Sequence, residues 1–154
     1  MDKRRVNVRS IIYKNGKILA VKHRNSEGEA NYWCVPGGGL DPLESLLDGV
    51  KREIMEETGI EARVGKLLFI QQFVSSRHGR EEELEFFFNI ENVDDFETID
   101  LSKTSHGLEE IAQIAFIDPK VERVLPSFLC TIDVGDAISD DQPIAIYNRL
   151  DEQI

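Results

Sequence analysis

Between Arg5 and Arg24, apolar and polar positions exchange in two short runs on either side of Lys14-Asn15-Gly16-Lys17. An Asn-Gly pair flanked by such runs is a strong local signal for a tight hairpin, because both residues tolerate the positive φ of the turn. The segment 5–24 therefore reads as two strands joined at Asn15-Gly16. A polar loop, NSEGEAN, follows. YWCVPGGG is then a short apolar run ending in a proline and three glycines, a strand entering a flexible loop.

The period then lengthens. Leu43, Leu47, Val50 and Ile54 recur at helical spacing and predict one apolar stripe on a helix over about 42–58. Asp41 is the expected N-cap, with Pro42 at the first helical position and Glu44 placed as in a capping box. Gly59 follows the last turn, where a left-handed residue commonly ends a helix. Beyond it, ARVGKLLFIQQFVSS and EELEFFFNIE read as strands joined by the charged loop RHGREE. VDDFETIDLSKTSHGLEE is a long polar connection, of the kind that often carries function. IAQIAFID is a further strand, PKVERVLPSFL a short helix interrupted at Pro126, and PIAIYNR a last strand. Several strands with one strong helix predict a layered α/β or α+β domain. At 154 residues without repeats or linkers, the chain reads as a single domain over 1–154 with a core of its own.

Composition narrows the function classes. A formal net charge of −11 disfavours binding along a nucleic-acid backbone, which needs clustered Lys and Arg. A small anionic substrate carried with a metal is compatible with it. No apolar run approaches the roughly 18 residues that span a bilayer, and the first residues lack the apolar core of a signal peptide. Cys34 and Cys130 form no CxxC pair, so free thiols in a reducing cytoplasm are expected.

The candidate chemistry lies on the helix. Glu53 precedes Glu56 by three residues and Glu57 by four, so the three carboxylates share one patch. Like charges at that spacing repel. A solvated polar face is the plain explanation; a bound divalent cation is the alternative, because hard cations take carboxylate oxygens. Arg52 can orient a carboxylate through its rigid fork. Gly37, Gly38 and Gly39 allow the backbone to approach a ligand closely.

Gly38, five residues, Glu44, seven residues, Arg52-Glu53-Ile54, one residue, Glu56-Glu57, one residue, Gly59-Ile60: this pattern resembles the Nudix box with each defined position filled. The order of elements around it is similar to that of Nudix hydrolases over about residues 4–130. The resemblance implies a Nudix-type α/β/α sandwich with a mixed β-sheet, and a hydrolase acting on phosphorus-containing anhydrides. The implied reaction cleaves a diphosphate bond in a nucleoside diphosphate derivative, such as an NTP or a nucleotide sugar, with Mg²⁺ or Mn²⁺. By similarity, Glu56 and Glu57 are metal ligands, and Glu53 is a ligand or the base that activates water. A backbone carbonyl at Gly37 or Gly38 completes the set. Arg52 orients the acids, and Glu44 supports the helix start or an outer shell of the metal. Family members also draw an acid or histidine from a later loop, which makes Glu109 and Glu110 candidates for an extra ligand or base.

Substrate choice lies outside the box. Arg77, His78 and Arg80 form a basic island that either meets substrate or offsets the adjacent glutamates. Lys22 and Arg24 are weaker candidates. His23 and His106 read as ordinary surface histidines, and Trp33 as core more than as a stacking partner beside Tyr32. QQFVSSRHG lacks the proline or tyrosine that marks the ADP-ribose and diadenosine-polyphosphate subclasses. Two other functions stay open: a catalytically idle nucleotide-binding sensor and an RNA 5′-end pyrophosphohydrolase, the latter disfavoured by the acidic charge. The resemblance allows a homodimer without requiring one.

Overall fold

Asn15 and Gly16 both take positive φ and close the expected turn, but the hairpin they make is short. The structure, a computed structural model, describes residues 3–76, 81–139 and 141–153. In it the first run splits into β1 (Arg4–Ile11) and β2 (Tyr13–Lys14), and only β2 pairs across the turn with β3 (Lys17–Asn25). β1 leaves for another sheet. β4 (Gly28–Glu29) folds back on the end of β3, and β5 (Trp33–Cys34) precedes β6 (Gly37–Gly39). The three glycines, expected as a flexible loop, are thus a strand, paired antiparallel to β1 with Asn7 opposite Gly39 and Arg9 opposite Gly37. Gly37 has φ 147°, and a Cβ there would lie 2.1 Å from the Val8 carbonyl oxygen, so only glycine passes this close to β1.

Helix α1 runs Leu46–Thr58, four residues shorter at its start than the sequence suggests. Ser45 is the N-cap, its hydroxyl accepting from the Asp48 N–H at 3.1 Å. Asp41-Pro42-Leu43-Glu44 is a separate turn, closed by Glu44 N–H on the Asp41 carbonyl at 3.2 Å, with Leu43 at φ 63°. Proline presets the first central position of such a turn. The core stripe shifts accordingly. Leu43 is fully exposed and Leu47 half-exposed, while Leu46, Val50 and Ile54 face the core. Gly59 ends the helix in the left-handed region as expected, its N–H on the Met55 carbonyl.

β7 (Val64–Ser75) and β8 (Glu81–Ile90) are the two strands read from the sequence, and they pair antiparallel. The polar connection that follows carries two 3₁₀ turns, at Val93–Phe96 and Leu101–Lys103, before helix α2 (Gly107–Glu110) and β9 (Ile111–Ile117). PKVERVLPSFL is not a helix: Val124–Leu125 is strand β10, paired with β5, and Ser127–Cys130 is a 3₁₀ turn. Helix α3 (Val134–Ile138) leads to the last strand, β11 (Ala145–Gln153).

The strands form two mixed sheets. One has the order β11-β7-β8-β1-β6, with β11–β7 and β8–β1 parallel; the other has the order β10-β5-β3-β2, with β9 also along β3. Alternate residues of a strand point to opposite faces, and Phe86-Phe87-Phe88 makes the consequence visible. Phe87 packs with Ile11, Phe69 and Phe128, while Phe86 and Phe88 pack under α1 with Val8, Val50 and Ile54. Two apolar clusters thus flank the strands, α1 covering one and α3 packing on the other. The mixed α/β architecture expected from the sequence holds.

Candidate active site

The face that carries Ile11, Phe69 and Phe87 at one end turns polar along the same strands. Two or four residues away on that face stand Asn7 and Arg9 of β1, Gln71 of β7, and Glu83 and Glu85 of β8. Arg9 Nε donates to Glu85 Oε2 at 2.5 Å and Gln71 Nε2 donates to Glu85 Oε1 at 3.3 Å. With Asn7 enclosed behind them, Arg9, Gln71, Glu83 and Glu85 floor a cavity of about 530 Å³. Gly37, Gly38 and Gly39 line it, together with Glu53, Glu56 and Glu57 of α1.

Arg52 explains how the acids tolerate one another. Its guanidinium grips Glu44 with two bonds, Nε to Oε2 at 2.7 Å and Nη2 to Oε1 at 2.9 Å. Nη1 reaches Glu53 Oε1 at 2.9 Å and Glu56 Oε2 at 3.3 Å, and Nη2 also donates to the Gly39 carbonyl at 3.0 Å. One planar fork therefore ties three box carboxylates to the glycine strand. The bonds with Glu44 and Glu53 raise the Arg52 pKa above its ordinary value against the opposing effect of burial. The Arg52 bond holds the Glu44 carboxyl below the usual range. Glu44 also accepts from the Asp41 N–H at 3.1 Å, the back-bond expected of a capping box, but it closes the turn before the helix, whose own cap is Ser45.

Glu57 stands apart from that network. It is buried, and its Oε2 accepts from the Gly37 N–H at 3.1 Å. Burial, then repulsion from Glu53, push its pKa up to about 8. Burial also raises Glu53, opposed by Arg52. Gly38 is matched to this arrangement: a Cβ there would stand 2.7 Å from the Glu53 carboxylate.

Of the later acids, Glu110 lines the cavity and Glu109 does not; Glu110 also adds to the repulsion felt by Glu57. Two histidines read as ordinary surface residues, His23 and His106, line it too. His106 Nδ1 lies 3.5 Å from Glu56 Oε2, and its backbone N–H donates to the Glu56 carbonyl at the end of α1. That placement needs the 101–110 connection to fold over the helix, which no local pattern announces. Trp33 is core, as expected, and Lys22 sits over its ring at 5.0 Å. Arg24 donates to the Leu108 carbonyl. Arg77, His78 and Arg80 fall outside the described residues. Asn7 and the floor residues Arg9, Glu83 and Glu85 were not singled out from the sequence. Their signal is polar side chains at alternate strand positions whose neighbours are apolar.

The donor set suits a hard divalent cation: oxygen ligands, clustered negative charge, and a buried carboxylate whose ionisation a cation would favour. Among the described residues no three His, Cys, Asp or Glu side chains already converge as a ligand set. Arg52 engages Glu53 and Glu56 instead.

Comparison with known proteins agrees with this geometry. A family model described as NUDIX domain matches residues 3–127. The CTP pyrophosphohydrolase of Escherichia coli (strain K12) is 38% identical over 65 residues, covering 42% of this chain and 48% of that protein. Phosphatase NudJ of Escherichia coli O1:K1 / APEC is 33% identical over 91 residues, covering 59% of this chain and 57% of that one. The chain thus spans about half the length of these curated relatives. The solution structure of the E. coli ORF135 protein shares the fold with a TM-score of 0.66 at 22% identity, over 92% of this chain and 95% of that one.

Proposed function

From the premise that this chain belongs to the NUDIX domain family, we propose that it is a metal-dependent pyrophosphohydrolase that cleaves a diphosphate bond in a nucleoside diphosphate derivative. The observation that carries the reading is the Arg52 hub, which gathers Glu44, Glu53 and Glu56 against the glycine strand beside the buried Glu57. In this proposal Glu53, Glu56 and Glu57, with the Gly38 carbonyl, hold Mg²⁺ or Mn²⁺. Bound there, the cation supplies charge neutralisation for the diphosphate and Lewis acidity toward it.

The chain's own residues do the remainder. Arg52 fixes the rotamers of two acids, so the carboxylates are placed before substrate arrives. Gly37 and Gly38 leave the cavity wall free of side chains where the phosphates approach. Glu53, oriented by Arg52, is the ligand or the base that activates water. Glu110 and His106, from the connection folded over α1, are second choices for proton transfer, being at the cavity wall on the far side of Glu56. Arg77, His78 and Arg80 remain candidates for phosphate binding.

The name of one relative, CTP pyrophosphohydrolase, supports a small nucleotide substrate. Among the described residues no helix is long and apolar enough to cross a membrane. A reducing cytoplasm is the compartment proposed, from two cysteines that form no CxxC pair. The test is a phosphate-release assay over NTPs, nucleotide sugars, ADP-ribose and dinucleoside polyphosphates with Mg²⁺ or Mn²⁺. Cleavage of at least one class is expected, with kcat falling about 100-fold or more in Glu56→Gln, the scale of removing one charged group that stabilises a transition state. Binding without cleavage would replace this reading by an idle sensor. Preference for triphosphorylated RNA ends would replace it by an RNA-processing enzyme.

A further inference from the structure

Two buried carboxylates sit side by side on the cavity floor, and they are treated differently. Glu85 is neutralised by Arg9 and bonded by Gln71. Glu83, only 6% exposed, has no salt bridge among the described residues; its partner is the neutral amide of Asn7, whose Nδ2 donates to Oε2 at 2.6 Å. Its cross-strand neighbour Arg5 lies over Gly39 instead, with Nη2 3.3 Å from the place a Cβ would occupy. The 2.6 Å contact fixes the orientation of the Asn7 amide, since turning it would set oxygen against carboxylate. Asn7 Oδ1 is then a buried acceptor with no hydrogen-bond partner. That oxygen is enclosed, and Asn7 does not line the cavity. Glu83 does, and with one oxygen held by Asn7 and no salt bridge among the described residues, its other oxygen is the acceptor left for a partner from outside the chain.

The position says where that partner belongs. Asn7 is opposite Gly39 in the β1–β6 ladder and shares its face with Arg5 and Arg9, both of which line the cavity. Glu83 lines the same cavity as the α1 acids. A phosphate would be repelled by a bare carboxylate, so this floor suits the part of a substrate that is not phosphate.

We propose that Glu83, held in place by Asn7, forms the subsite for the group attached to the diphosphate. The subsite takes a neutral group that presents N–H or O–H donors, either the exocyclic amino group of a nucleobase or the hydroxyls of a sugar. The inference rests on the hydrolase reading above and gives it a substrate class. Glu83 acts as a specificity determinant and takes no part in the bond cleavage.

The experiment compares pairs that differ by one donor group: GTP with ITP, ATP with purine riboside triphosphate, and UDP-glucose with its deoxy analogues. For each, kcat/KM with Mg²⁺ and calorimetric binding are measured on wild type, Glu83→Gln and Asn7→Ala, with melting curves showing which variants are folded. Glu83→Gln keeps the shape of the side chain, and Asn7→Ala removes the donor that holds it from the neighbouring strand. Wild type should favour the donor-bearing member of at least one pair by about 10-fold or more, as for a lost hydrogen bond to a charged group. Either folded variant should bring that ratio within about 3-fold, with the loss appearing in KM, as expected for uniform binding. The responding pair separates base from sugar. Ratios near one in wild type, or ratios kept in both variants, overturn the subsite while leaving hydrolysis intact. No binding and no cleavage of any compound overturns both.

Discussion

Burial raises the Glu57 carboxyl to about 8, and Glu53 pushes it the same way. An unfolded glutamate titrates near about 4.3, so the folded state holds this proton more tightly than the unfolded one. The resulting stability is fully present below the unfolded value and is lost as pH rises toward the folded value. In chelator, the melting temperature of wild type should therefore fall between about pH 5 and pH 8. Glu57→Gln, which cannot ionise, should flatten that profile; parallel profiles would contradict the assignment. Gly38 makes a second residue-scale case. A methyl group there would meet the Glu53 carboxylate at 2.7 Å and push it from its Arg52 bond. Gly38→Ala should lower kcat about 10–100-fold, as misplacing a reacting group by about an ångström does, with the fold kept by circular dichroism. Wild-type kinetics in that variant would show that Glu53 needs no exact seat.

Among the elements, the start of α1 is the informative one. Ser45 satisfies the Asp48 N–H, so Ser45→Ala should lower stability by about 1 kcal/mol in urea titrations. Leu43 is fully exposed yet holds φ 63°, a conformation that disfavours any side chain with a Cβ. Leu43→Gly loses no packing and should stabilise by about 0.5 kcal/mol, the relief of strain exceeding the added freedom of the unfolded chain. A destabilised glycine variant would mean that Leu43 makes a contact in solution. The helix was legible in its body and its end, because Val50, Ile54 and Gly59 depend on neighbours one turn away. Its start was not. Asp41-Pro42 and Glu44 look like a capping box, and Glu44 does accept from the Asp41 N–H, but these residues close a separate turn and Ser45 caps the helix, while Arg52, eight residues on, takes the rest of the Glu44 carboxylate.

For the whole molecule the controlling quantity is negative charge, −11 over the sequence, with part of it concentrated in one cavity. A divalent cation that binds only the folded state stabilises by mass action, about 2.7 kcal/mol at one hundred times its Kd. Mg²⁺ should accordingly raise the melting temperature above that in NaCl of equal ionic strength, which controls for general screening. Glu56→Gln should lose most of the difference. An equal response to both salts would mean that the acids form a solvated face gathered by Arg52 alone.

What the sequence determined by itself was local. The Asn15-Gly16 turn, the helix body, the long strands β7 and β8, and the convergence of Glu53, Glu56 and Glu57 all follow from residues a few positions apart, and the box spacing identified the family. Tertiary structure decided what those pieces meet. β1 abandons the hairpin for parallel pairing with β8, a choice between distant partners that alternation cannot express. The core stripe of α1 falls on Leu46 instead of Leu43 and Leu47, because the turn at 41–44 sets where the helix begins. The polar floor of Glu83 and Glu85 with Asn7 behind it, and the approach of His106 to Glu56, exist only once β1, β8 and the 101–110 connection are brought together. A period of two says which residues share a face, and long-range pairing alone says what that face covers.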